Sequence, residues 1–186
     1  MFIQTEETPN PATLKFLPGC PVTGGTPVDF TSPEAALRSP LARALFAVNG
    51  VSAVFLGSDF ITVTNDGART WATLKPALLV ANMEHFLNGR PVLDPPAAGT
   101  PEGTPEEAED DEIVLQIKEL LDQRVRPVVA RDGGDITFHG FSKGVVYLHM
   151  KGSCSGCPSS TATLKSGIEN LLCHYIPEVV EVRAVR

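Results

Sequence analysis

Two cysteines stand three positions apart near the C-terminal end of the chain. Cys154 and Cys157 form the sequence Cys-Ser-Gly-Cys between a predicted strand and a predicted helix. Pro158 favours the first helical position, so we expect Cys157 to be the N-cap and both sulfurs to lie where backbone N–H groups point outward. The positive end of a helix lowers the pKa of a thiol and attracts anionic groups. Dithiol exchange, zinc ligation and iron–sulfur ligation all use this arrangement.

The number of available ligands limits which metal centres one chain can hold. A structural zinc site or a [4Fe–4S] cluster takes about four protein ligands, and the motif supplies two per chain, so two chains would supply four. We expect the other cysteines not to be ligands, because Cys20 lies in a Pro-Gly loop and Cys173 lies away from the apolar face of its helix. His139 and His149 could join a metal site, but histidines on an open sheet face are more often solvated or interface residues.

An acidic segment divides the chain. Residues 94–111 are rich in Pro, Gly, Ala and Glu and contain no apolar side chain larger than Ala, so they cannot bury enough surface to offset the entropy of ordering. We predict a flexible acidic linker there. The predicted architecture is α+β, with two small mixed domains at residues 1–93 and 112–186.

Composition and charge exclude several classes of protein. No apolar run approaches the ~18 residues of a membrane span, and four cysteines in 186 residues are too few for a disulfide-rich secreted scaffold. Eight acids and no base lie between Asp94 and Glu112, so the rest of the chain carries +1 of the net charge of −7. This distribution lacks the basic surface of a nucleic-acid-binding protein. No signal or transit peptide is recognised, which favours a bacterial cytoplasm over a mitochondrial matrix.

Periodicity predicts the elements of each domain. In the first, we expect strands at 2–5 and 13–17, a hairpin at 51–64, and helices at 40–48 and 76–87. The face of the second helix formed by Leu79, Met83, Phe86 and Leu87 should enter the core. In the second, the predicted order is α-β-β-α-β, with both helices on one face of the sheet. A hairpin centred on Lys143 should place Ile136, Phe138, Leu148 and Met150 on one face of the sheet, and Tyr175 should join the core face of the last helix.

These segments resemble a known family. The stretch from RVRPVVARDGGDITF through GVVYLHMKGSCSGCPSSTATLKSGIENLL to the terminal strand resembles the C-terminal domain of the NifU/Nfu iron–sulfur carriers, and the opening MFIQTEETPNPATLKFLPG resembles the Nfu N-terminal domain. The resemblance implies a [4Fe–4S] cluster that bridges a homodimer, is ligated by Cys154 and Cys157 of each chain, and is handed to apo-proteins. It also implies a carrier without enzymatic activity, an upstream cluster donor, and an N-terminal domain that recognises recipients.

Two other functions use the same motif. A strand-CxxC-helix arrangement is typical of thioredoxin-like dithiol oxidoreductases, although the second domain has about 75 residues and lacks the preceding βα unit. A zinc-stabilised interaction module would need the same number of ligands. A brown, anaerobically purified protein would favour the cluster, whereas a colourless one with dithiol reductase activity would favour the enzyme.

Overall fold

A computed structural model describes residues 2–94, 112–155 and 158–185 of the chain. These residues form two sheets, each with its own hydrophobic core. We call residues 2–94, with a five-stranded sheet, the N-terminal unit, and residues 112–185, with a three-stranded sheet, the C-terminal unit. The predicted α+β class is confirmed. Apart from Asp94, the predicted linker lies outside the described residues.

The N-terminal sheet is antiparallel throughout. Its strands are β1 (Gln4–Glu7), β2 (Thr13–Leu17), β3 (Val28–Phe30), β4 (Val51–Leu56) and β5 (Ile61–Asn65), in the spatial order β1-β2-β5-β4-β3. The predicted hairpin is formed by β4 and β5. The first strand is shifted two residues along the chain from its predicted position. We did not predict β3, because three residues are too few to show a period-2 pattern.

The side chains of this sheet alternate between two faces. Leu14 and Phe16 of β2, like Ile61 and Val63 of β5, enter the core. Because successive residues of a strand point to opposite faces, Lys15 and Thr62 lie on the face away from that core. Lys15 and Thr62 on this second face contact the region of the site described below.

Two α-helices pack on the core face of the N-terminal sheet. Helix α1 (Pro40–Phe46) begins as predicted, and the Ser39 hydroxyl oxygen accepts a hydrogen bond from the N–H of Ala42 at 3.0 Å. Helix α2 (Trp71–Leu87) begins five residues earlier than predicted, with Pro76 inside it. Burial of Leu74 against the core offsets the hydrogen bond that Pro76 cannot donate.

The predicted core face of α2 is partly wrong. Leu79, Met83 and Phe86 pack only at the edge of the core, and Leu87 is exposed. The innermost residues are Leu74, Leu78, Asn82 and His85. Two of these four are polar, so a pattern of apolar residues assigns the helix the wrong face.

The C-terminal unit has the predicted α-β-β-α-β order. Its first helix runs through α3 (Glu112–Leu120), a π-helical segment (Leu121–Val125) and α4 (Arg126–Arg131), and is followed by β6 (Gly134–Ser142), β7 (Val145–Gly152), α5 (Pro158–Tyr175) and β8 (Glu181–Val185). Strand β7 lies between β6, which is antiparallel to it, and β8, which is parallel. Pro127 lies near the start of α4, directly after the π-helical segment.

The β6–β7 hairpin has the predicted register near its base. Ile136 pairs with Met150 and Phe138 with Leu148, and all four side chains belong to or pack against the core. A bulge after Phe138 shifts the register by one residue near the turn. Tyr175, predicted on the core face of α5, is exposed. Within the described ranges, no helix is long and apolar enough to cross a membrane.

Candidate functional site

Cys154 lies in the loop between β7 and α5, which is the predicted strand-CxxC-helix arrangement. Gly152 leaves the strand with a φ of 64°, and the helix begins at Pro158. Cys154 is only 6% exposed, and Ser153 before it is also buried. Cys157 lies outside the described residues. Its position as N-cap of the helix therefore stays a prediction.

Three successive carbonyl oxygens around Cys154 accept hydrogen bonds from side chains. The amide nitrogen of Asn10 donates to the oxygens of Ser153 at 3.3 Å and Ser155 at 3.2 Å. The hydroxyl of Thr161, in the first turns of α5, donates to the oxygen of Cys154 at 3.1 Å. The conformation of the cysteine loop therefore depends on one residue of α5 and one residue of the N-terminal unit.

The turn between α4 and β6 packs against the cysteine loop. The N–H of Ser153 donates to the oxygen of Gly133 at 3.2 Å, and its hydroxyl donates to the oxygen of Asp132. Gly133 has a φ of 79°, in the left-handed region that favours glycine. Gly134 has a different role, because a β-carbon there would overlap the sulfur of Cys154.

A forked ion pair fixes the far end of this turn. Arg126 donates from Nε and Nη2 to the two carboxylate oxygens of Asp135 at 3.0 and 3.1 Å. Its Nη1 also reaches Asp122 at 3.0 Å. Hydrogen bonding to Asp135 raises the pKa of Arg126, so the guanidinium stays charged. The pair joins the start of α4 to the start of β6, beside Cys154.

The thiol of Cys154 is harder to ionise than the sequence suggested. The pKa of the thiol is raised to about 11, mainly by burial; the Ser153 side chain lowers it, and the charges of Asp132 and Asp135 contribute to the rise. The expectation of a lowered thiol pKa is wrong for Cys154, because desolvation and two nearby carboxylates act against the anion. In this arrangement the sulfur is a neutral thiol at pH 7.

The N-terminal unit covers this region with polar side chains. The Thr62 hydroxyl donates to the oxygen of Gly133 at 2.6 Å, and Lys15 Nζ donates to the oxygen of Arg131 at 3.0 Å. Together with Asn10, these residues hold the backbone on both sides of the site. Sequence reasoning did not find them. Strand alternation marks Lys15 and Thr62 as polar-face residues, but no local pattern shows that this face is covered.

The two other cysteines, which the sequence predicted not to be ligands, lie elsewhere in the fold. Cys20 lies in the loop after β2, and Cys173 packs beside the core of the C-terminal unit. Burial, Lys151 and His139 lower the pKa of His149. Within residues 2–94, 112–155 and 158–185, no three His, Cys, Asp or Glu side chains are grouped to hold a metal ion.

Family models match both units. The model described as "NifU-like domain" matches residues 117–183, and the model described as "Scaffold protein Nfu/NifU N terminal" matches residues 3–89. A solution NMR structure of a NifU-like protein from Saccharomyces cerevisiae is 26% identical, with a TM-score of 0.45 over 50% of this chain and 83% of that one.

Two relatives match the whole of this chain at higher identity. The human "NFU1 iron-sulfur cluster scaffold homolog, mitochondrial" is 52% identical over 186 residues, which are 100% of this chain and 72% of the human protein. The protein of the same name from Drosophila ananassae is 52% identical over 187 residues, and this chain spans 64% of its length. Both are named as scaffolds. Both are also named as mitochondrial, which contradicts the expectation of a bacterial cytoplasm. With a human relative this similar, and with models of the family matched in both units, the chain belongs to the NifU/Nfu family of iron–sulfur cluster scaffold proteins.

Proposed function

We propose that this chain binds a [4Fe–4S] cluster between two copies of itself and transfers it to apo-proteins. The cluster is cargo, and Cys154 and Cys157 of each chain are its ligands. The observation that carries the proposal is the position of Cys154, in a hydrogen-bonded loop that leads into the start of α5. The names of the human and fruit-fly relatives support the iron–sulfur part of it.

The ligand supply supports a site shared by two chains. Within the described residues, which do not include Cys157, no three His, Cys, Asp or Glu side chains are grouped to hold a metal ion. Two chains with two thiolates each would provide the four that a [4Fe–4S] cluster takes. A cluster held at a contact between subunits can leave when the subunits separate, which suits a carrier.

The raised pKa of Cys154 disfavours the dithiol oxidoreductase. A nucleophilic cysteine of that class is exposed and carries a lowered pKa, whereas Cys154 is buried and its pKa is about 11. A metal ligand differs in this respect, because coordination to iron displaces the proton from the thiol. A buried thiol can therefore become a ligand once iron reaches it.

Each part of the chain then has its own role. Residues 112–186 hold the cluster, residues 1–93 recognise the apo-protein that receives it, and residues 94–111 tether the two as an acidic linker. A separate donor supplies the cluster. A flexible tether keeps both parts at high local concentration.

Anaerobic reconstitution with ferrous iron and sulfide tests the proposal. We expect a brown protein with broad visible absorption, about four iron and four sulfide per two chains, and a mass by light scattering that doubles on loading. Loading should couple to dimerisation, because the bridging thiolates supply much of the association energy. Zinc in place of iron, or an equally tight dimer without cluster, would contradict the proposal. An incubation with an apo-recipient then measures transfer.

A further inference from the structure

One face of the N-terminal sheet is buried without belonging to the core of its own unit. Lys15, Phe55 and Thr62 lie on β2, β4 and β5, on the side opposite the core residues of those strands. Their exposures are 6%, 2% and 1%. The C-terminal unit lies against this face. We call Asn10, Lys15, Phe55 and Thr62 the docking face.

The docking face contacts two backbone segments of the C-terminal unit. Thr62 and Lys15 donate to the carbonyl oxygens of Gly133, in the turn after α4, and of Arg131, at the end of α4. Asn10 donates to the oxygens of Ser153 and Ser155, on either side of Cys154. All four acceptors are main-chain oxygens, so the docking face recognises the shape of the cysteine loop and of the adjoining turn.

Glycines allow this close approach. A β-carbon on Gly133 would lie 2.9 Å from the hydroxyl oxygen of Thr62, and one on Gly152 would lie 3.0 Å from the ring of Phe55. Both glycines have positive φ angles, of 79° and 64°. At these two positions the segments have no side chain, so their backbone atoms can approach the docking face closely.

We propose that the docking face is an interaction surface for the cysteine loop of its own chain, and that a cluster shared by two chains forms only when this contact opens. The second part of this inference rests on the proposed function. Asn10 ties the carbonyls beside Cys154 to the N-terminal unit, whereas a shared cluster requires the loop of a second chain to approach Cys154. The docked monomer and the cluster-bridged dimer are thus alternative states, and the balance between them sets the apparent affinity for the cluster.

The test uses the full chain carrying Asn10→Asp and Thr62→Val. The aspartate keeps the oxygen that accepts from the N–H of Ala12 at 3.0 Å, but it places a carboxylate against two carbonyl oxygens. The valine keeps the shape of threonine without its hydroxyl. The control carries Thr64→Val and Asn65→Asp, which make the same chemical changes on β5. There Asn65 accepts from Gly67 and donates to Arg69, within the N-terminal unit.

Small-angle X-ray scattering of the apo proteins measures docking directly. Wild type and control should have a radius of gyration near the ~16 Å of a compact chain of this length, and the docking variant a value several Å larger. A wild type as extended as the variant, or a variant as compact as wild type, would overturn the inference. Circular dichroism checks that the variant is folded. If it is not, the wild-type value alone decides whether the units dock.

Cluster loading tests the second part. Loss of the Asn10 and Thr62 hydrogen bonds should shift the opening equilibrium of each chain about tenfold. Because both chains of the dimer must open, the docking variant should load at up to about a hundredfold lower protein concentration than wild type or control. An open variant that loads no better than wild type would refute the competition between docking and loading. If no protein binds iron, the proposed function fails, while the scattering result still decides whether the units dock.

Discussion

Gly134 lies so close to Cys154 that no side chain fits between them. A β-carbon on Gly134 would overlap the cysteine sulfur and would lie 2.9 Å from the oxygen of Lys151 and 3.1 Å from the nitrogen of Cys154. Two of these neighbours are backbone atoms, which cannot rotate away. The first strand of the hairpin therefore starts with glycine because the thiol occupies the space of its side chain.

Replacing Gly134 by Ala should destabilise the C-terminal unit by about 1–3 kcal/mol, the usual cost of inserting a methyl group into a packed site. Urea unfolding measures the change in the free energy of unfolding. Gly167→Ala is the matched control, because that glycine lies on the exposed side of α5 with no atom within 4 Å of the added carbon. The control should be stabilised by about 0.5–1 kcal/mol. Equal effects at both positions would contradict the packing argument.

The four cysteines should separate into two classes. Replacing Cys154 or Cys157 by Ser should abolish cluster binding with the fold intact, since serine is nearly isosteric but its hard oxygen is a poor ligand for the cluster. Cys20→Ser and Cys173→Ser should retain wild-type iron. Iron and sulfide analysis after reconstitution checks all four variants. Loss of iron from the Cys173 variant would show that the ligand assignment is wrong.

His85 should make the stability of the N-terminal unit depend on pH. Burial and the charge of Arg90 lower its pKa, and its Nε2 has no hydrogen-bond partner among the described residues. The unfolded chain then binds the proton more readily than the folded chain, so the free energy of unfolding should decrease as the pH falls below about 6.5.

Urea unfolding at pH 7.5 and pH 5 measures this dependence. His85→Gln, which has no titrating ring, should lose less stability between the two values than wild type. His139→Gln is the control, because His139 is exposed on the sheet of the C-terminal unit, and it should keep the wild-type difference. A wild-type pH dependence that survives in the His85 variant would rule out this residue as its source.

The sequence of the linker should matter little for cluster transfer, and its length only moderately, because closure entropy changes by only about 0.6 kcal/mol per doubling of length. Replacing residues 97–111 by a neutral Gly/Ser stretch of equal length should leave the rate of cluster transfer almost unchanged. Cutting the chain there and adding the halves separately should slow transfer at low protein concentration. If the neutral linker slowed transfer as much as the cut, the acidic segment would itself be a binding element.

Local patterns in the sequence determined much of this protein. Alternation along β6 and β7, with Lys143-Gly144 at the turn, predicted the register that pairs Ile136 with Met150. The Cys-Ser-Gly-Cys-Pro sequence between a strand and a helix predicted where α5 begins. These features depend on residues a few positions apart, so periodicity and capping preferences are enough to predict them.

Only the tertiary structure decided the surroundings of Cys154. Asn10 meets the cysteine loop across 143 residues of chain, and Thr62 meets Gly133 across 71. No local rule predicts such pairs, because they depend on how two separately packed sheets meet. Packing within the C-terminal unit places Cys154 in its core and raises the pKa of the thiol, against the effect expected from a helix N-terminus alone. Packing of α2 against the N-terminal sheet likewise turns Asn82 and His85 inward, where an apolar pattern would not place them.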